Sequence, residues 1–170
     1  MAFPGDADGM RRAARGETPP DAERRLRWEA ALELARRALS VPLARPQPFR
    51  SGADVFNRFR FLLSDVPVEV FLAVLLDVKH RPLREERVSV GILDGSLIHP
   101  REVFVAAVRE RAAGVILVHN HPSGDPAPSA QDREVTRRLR SAGGVLGIPV
   151  IDHVILGDGV FFSFREEGDW

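Results

Sequence analysis

His119-Asn120-His121 opens the stretch of this 170-residue chain where side chains able to do chemistry are most concentrated. It leaves an apolar run, Val115 to Val118, that reads as a buried strand. Strand residues two apart point to the same face, so His119 and His121 project together from the strand end. Paired imidazoles there suit a divalent cation. Asp132 stands in the first turn of a following helix, from which it can turn toward the same point as a third ligand. Three protein ligands with one open position define a catalytic zinc site, whereas four define a structural one. Zinc so held lowers the pKa of its water to about 7. Plainer readings compete. Two histidines at a strand end are ordinary polar loop residues, and Ser129-Ala130-Gln131-Asp132 fits a helix cap with Ser129 as N-cap and Asp132 at N3. The roles of Ser129 are compatible, because its backbone can start the helix while its hydroxyl faces the pocket.

The positioning elements follow from periodicity and from glycine and proline punctuation. Residues 1–20 read as a disordered arm. Asp21 to Leu39 carries Leu26, Ala30, Leu34 and Ala38 at helical spacing, and Val41 to Arg50, with Pro42, Pro46 and Pro48, is a linker. A helix is expected over Ala53 to Leu63, started by Ser51 or Asp54. Val68 to Val78 reads as a strand, and Arg87 to Ile92 alternates and pairs back against it. Pro100 suits a first helical turn, giving a helix over Glu102 to Ala113 that ends at Gly114. After the strand Val115–Val118, His119 to Pro128 is a loop stiffened by Pro122, Pro126 and Pro128. The helix from Ser129 to Ala142 stops at Gly143-Gly144. Val150–Leu156 and Val160–Phe164 flank a Gly157-Asp158-Gly159 turn as a hairpin. The expected fold is α/β, a mixed sheet flanked by helices, with an N-terminal helix ahead of it. The main domain spans 51–166, with a tail at 167–170 and no internal repeat.

Composition narrows the chemistry. With zero cysteines there is no disulfide, thiolate zinc site or cysteine nucleophile, so any metal site must use His, Asp and Glu. The 24 Lys+Arg and 24 Asp+Glu cancel, which removes any global hint of a polyanionic partner. No apolar run is long enough to span a bilayer, and Met1 to Gly16 lacks the apolar core of a secretory signal, so the default location is the cytoplasm.

The order His-x-His, seven residues, Ser, two residues, Asp is matched at His119, His121, Ser129 and Asp132. It resembles the JAB/MPN+ (JAMM) metalloprotease signature. The text around it, Pro100 to Phe104, Ile116 to Pro126 and Gly147 to His153, resembles the RadC branch, and the similarity covers roughly residues 50–166. The resemblance implies a layered JAB/MPN fold, related to that of cytidine deaminases. It implies Zn2+ on His119, His121 and Asp132, with Ser129 stabilising an oxyanion. It further implies a general-base glutamate, for which Glu69 at the start of the apolar strand is preferred over Glu102, an early helix residue that complements the helix dipole. The implied reaction is hydrolysis of an amide or isopeptide bond in a protein or peptide. His153, in Asp152-His153, is either a partner orienting a ligand or a satisfied core histidine. His80 reads as a turn residue, His99 is ambiguous, and Asp125 is turn-forming.

Two other functions compete. RadC-branch proteins are associated with DNA repair and usually carry an N-terminal helix-hairpin-helix region. No Gly-x-Gly hairpin stands before Val41, so the chain reads as lacking that region and direct duplex binding is disfavoured. Arg133, Arg137, Arg138 and Arg140 give one helix a basic side, which is more often a solvated face. A non-catalytic binding scaffold is the other alternative, against which stands the full set of metal-binding residue types. The zinc deaminase reaction needs a Cys-x-x-Cys pair, and the chain has none.

Overall fold

The computed structural model describes residues 29–30, 46–63, 66–91 and 98–170. The arm at 1–20, the first half of the linker and Ile92 lie outside the described residues, as does the N-terminal helix except for Glu29 and Ala30, which are helical. The elements of residues 46–170 are α1 (Gly52–Leu63), β1 (Val70–Leu76), β2 (Pro82–Val90), α2 (Pro100–Arg109), β3 (Gly114–Asn120), α3 (Ala130–Leu146), β4 (Val150–Leu156) and β5 (Phe161–Ser163). The five strands form one sheet in the order β2-β1-β3-β4-β5. Every pairing is antiparallel except β3–β4. That parallel pair needs a crossover, and α3 supplies it. The fold is therefore the mixed α/β sheet expected, with helices on both faces.

Alternation along the strands divides the core. Val70, Val74 and Leu76 of β1, Ile116 and Val118 of β3, and Val154 and Leu156 of β4 pack under α1, which lays down Val55, Phe56, Phe59 and Leu63 at helical spacing. Phe71, Ala73 and Leu75 of β1, with Val115 and Leu117 of β3, face α2 and α3 through Val103, Phe104, Ala107, Val135 and Leu139. Each large apolar side chain so buried contributes about 1.5–3 kcal/mol. Central β3 is buried along its whole length, which is why its sequence is a continuous apolar run and not an alternating one.

Several expected boundaries move. β2 starts at Pro82, five residues before the expected strand. Its Arg84 and Glu85 lie exposed on the sheet edge, where Arg84 pairs with Glu86 at 2.8 Å and Arg58 pairs with Glu85 at 2.9 Å. Charges on an edge strand discourage pairing with other chains and hide the strand from hydropathy alternation. α2 is capped by His99 with Pro100 behind it and ends at Arg109; Arg111 takes a left-handed φ of 54° and the Ala112 N–H closes onto Ala107 O. Gly114 thus begins β3 and does not end the helix. β3 continues through His119 and Asn120, so the active-looking segment starts on the strand and not in the loop.

α3 likewise runs past Gly143-Gly144 to Leu146, and its left-handed C-cap is Gly147, with φ 69°. Gly143 marks close packing: a Cβ there would stand 2.5 Å from Ile148 O and 3.1 Å from Phe104 Cζ. Beyond the hairpin, Asp169 pairs with Arg133 at 2.7 Å and Trp170 lies under Arg140 at 4.0 Å, so the final residues fold back onto α3. Among the described residues, no helix is long and apolar enough to cross a membrane.

Candidate metal centre

His119 sits at the carboxyl end of β3 in register with Phe71 of β1, on the sheet face that α3 covers. His121 follows just beyond the strand, and the Ser129 turn brings Asp132, in the first turn of α3, back over both rings. The His119 and His121 Nε2 atoms are 3.0 Å apart. Asp132 Oδ1 lies 3.2 Å from His119 Nε2, and Oδ2 lies 3.6 Å from His121 Nε2. Donors around a tetrahedral cation with bonds of about 2.0–2.1 Å stand roughly 3.3–3.4 Å from one another, so this triangle fits one. The protons agree. The His121 Nδ1–H donates to Asp125 O at 2.7 Å, and a carbonyl can only accept, so the neutral His121 ring has its lone pair on Nε2, inside the triangle. Ser129 N–H and O–H both donate to Asp132 Oδ2, at 2.7 and 2.6 Å, while Ser129 Oγ accepts from Asp132 N–H at 3.1 Å. The capping box and the His-His-Asp cluster are one structure: the cap fixes the carboxylate.

Electrostatics differ across the three groups. Complete burial pushes His119 below the usual imidazole range, against the opposing pull of Asp132. His121, only half-buried, is raised because it hydrogen-bonds Asp132. Burial works to raise the Asp132 carboxyl, but the neighbouring His119 and His121 rings and the Ser129 hydrogen bond outweigh it and hold it well below the carboxylate range. A carboxylate that stays charged beside two ring nitrogens is a donor set matched to a divalent cation.

Glu69 lies half-buried one residue before β1. It is two residues from Phe71, hence on the same side as Phe71 and its partner His119, and its negative charge acts on both histidines. Glu102 lies exposed in the first turn of α2 and pairs with Arg101 at 3.0 Å. Ser129 is the N-cap of α3, with its hydroxyl hydrogen on Asp132. His80 is an exposed turn residue with φ 58°, His99 accepts from Arg101 N–H as the α2 cap, and Asp125 Oδ1 accepts from Ala127 N–H to shape the loop. His153 is wholly buried, with Nε2 at 2.8 Å from His119 Nδ1. The four arginines of α3 are engaged within the chain: Arg133 on Asp169, Arg137 on Glu134, Arg138 on Ile98 O and Arg140 on Trp170.

Two residues escaped sequence reasoning. Asn120 alternates to the face opposite His119; its Oδ1 accepts from Val70 N–H at 2.8 Å and its Nδ2 donates to Val68 O at 3.1 Å. It clamps the backbone on both sides of Glu69. Nothing local in His-Asn-His reveals a clamp on a segment fifty residues earlier in the chain. Thr136, by contrast, was findable: it is one helical turn after Asp132 and shares its face. Beside His121 opens a cleft of about 520 Å³ walled by Phe56, Arg60, Phe61, Val66 and the Pro122–Gly124 and Gly157–Gly159 turns.

A mixed sheet between helices, with a His-His-Asp cluster where a central strand hands over to a helix, defines an α/β protein with a candidate metal centre. Residues 49–169 match the RadC-like JAB domain. The chain is 54% identical over 140 residues to the UPF0758 protein of Trichlorobacter lovleyi, covering 82% of this chain and 61% of that protein. It is 54% identical over 141 residues to the UPF0758 protein of Geobacter sulfurreducens, covering 82% and 62%. Against the UPF0758 protein of Rubrobacter xylanophilus it is 51% identical over 140 residues, covering 82% and 61%. The chain belongs to the RadC-like JAB domain family, and it spans about 61–62% of the length of these relatives.

Proposed function

We propose that this chain is a zinc-dependent hydrolase of the JAMM type, cleaving an amide or isopeptide bond in a peptide or protein. Zinc bound by His119, His121 and Asp132 would polarise the scissile carbonyl and activate a water near neutral pH. Glu69 takes the proton of the attacking water and returns it to the leaving amine, a task that normally contributes about 10²–10⁴-fold. Ser129 turns its hydroxyl from Asp132 toward the oxyanion that develops on the substrate. Asn120 keeps the Glu69 segment in place while the proton moves. The cleft beside His121, open and partly aromatic, suits an extended chain entering from the Phe61 side.

The observation that carries this reading is the triangle of 3.0, 3.2 and 3.6 Å among the two Nε2 atoms and the Asp132 carboxylate. The test is a screen of zinc-loaded full chain against amide and isopeptide substrates, ubiquitin-like fusions included. Cleavage is expected, with Glu69→Gln slower by about 10²–10⁴-fold at unchanged zinc content. A Glu69→Gln variant as active as the parent removes Glu69 as the base. A parent that takes up no zinc overturns the metal reading.

A further inference from the structure

His119 presents two nitrogens, and only the one without hydrogen can hold a cation; the partner of the other decides which that is. Unlike His121, His119 has no carbonyl at its Nδ1. It has His153 Nε2 at 2.8 Å, a group able to donate or accept. The direction of that bond is fixed further back. Thr136 Oγ1 lies 2.6 Å from Asp132 O and 2.6 Å from His153 Nδ1. The carbonyl can only accept, so the single hydroxyl hydrogen of Thr136 goes to Asp132 O. Thr136 must then accept from His153, whose hydrogen is therefore on Nδ1.

His153 is fully buried, stacked on Phe164 at 5.0 Å and met by the edge of Phe71 at 5.4 Å, and both its ring nitrogens are used on Thr136 and His119, neither an acid. With its one ring hydrogen on Nδ1, His153 has Nε2 left as the acceptor. His119 must donate from Nδ1. Its lone pair is left on Nε2, facing His121 and Asp132.

We propose that Thr136 and His153 are positioning residues that lock His119 in the tautomer able to hold a cation. The relay runs from the His119 ring through His153 and Thr136 to the backbone of Asp132, tying two of the three ligands to each other through groups that touch neither cation nor substrate. Phe71 fixes the ring planes, lying stacked on His119 at 5.7 Å. This inference rests on the metal reading above, and its test separates the two.

The test uses the full chain and two readouts. Long-range ¹H–¹⁵N imidazole spectra of the parent, with and without Zn2+, are expected to show hydrogen on Nδ1 of both His119 and His153. Zinc affinity is then measured by competition with a chromophoric chelator. Thr136→Val keeps the shape of the side chain but removes the acceptor, freeing His153 to place its hydrogen on Nε2. It is expected to weaken zinc binding about 10–100-fold, while Thr136→Ser keeps parental affinity. Zinc binding by Thr136→Val equal to the parent overturns the relay, as does parent His119 bare at Nδ1. If circular dichroism shows Thr136→Val unfolded, the parent spectra decide alone. If the parent binds no zinc, the metal reading falls while those spectra still decide the direction of the relay.

Discussion

At Asp132 one carboxylate serves two structures, closing the capping box of α3 and completing the triangle with His119 and His121. The dual use explains why both readings of Ser129-Ala130-Gln131-Asp132 were defensible: helix capping and metal ligation each need an acceptor at the helix N-terminus. It also yields a pH dependence in chelator-treated protein. His121 is raised by its bond to Asp132, so its contribution to stability is complete below the unfolded imidazole value of about 6.5. That contribution is lost as pH climbs through the raised folded value. The stability gap between parent and His121→Ala, read by urea unfolding, is accordingly expected to be larger at pH 6 than at pH 9. A gap that grows with pH would contradict the assignment.

Among the elements, α3 carries Asp132 and Thr136 and tests how glycine is used. Two adjacent glycines looked like a helix stop, yet they differ in what surrounds them. Nothing stands within 4 Å of a Cβ at Gly144, whereas one at Gly143 meets the Ile148 carbonyl. Gly144→Ala is expected to stabilise by about 0.5–1 kcal/mol through helix propensity. Gly143→Ala is expected to destabilise by about 1–3 kcal/mol, because the carbonyl and Phe104 must give way in a packed core. Urea unfolding of the two variants checks the opposite signs. The strand–turn–helix unit β3–α3 was legible because apolar run, proline-rich turn and Ser-x-x-Asp cap are all local signals. Edge strand β2 was only half legible, since exposed charges erase alternation at its start.

Across the whole molecule, the centre joins a central strand, the helix after it and, through His153, the strand after that. A cation bound there favours the folded state alone, and the stabilisation grows as the logarithm of its concentration over Kd, about 2.7 kcal/mol at a hundredfold excess. Zinc is therefore expected to raise the Tm of the parent relative to chelator-treated protein, and to leave Asp132→Ala unmoved. Scanning calorimetry decides; an equal rise in the variant would place the zinc elsewhere.

Residue types and spacing alone put His119, His121 and Asp132 forward as candidate ligands beside a plain helix-cap reading, and determined the Ser129 turn, the mixed sheet and the absence of thiol chemistry. Each of these depends on neighbours a few residues away or on composition. Tertiary structure alone decided that Asn120 clamps the segment of Glu69, that Glu102 pairs on the surface with Arg101, and that His153 and Thr136 stand behind His119. Those relations join residues far apart in the chain, and only strand register and helix packing bring them within hydrogen-bonding reach. A donor–acceptor direction, moreover, is fixed by every partner along a path, so no single residue in the sequence could announce it.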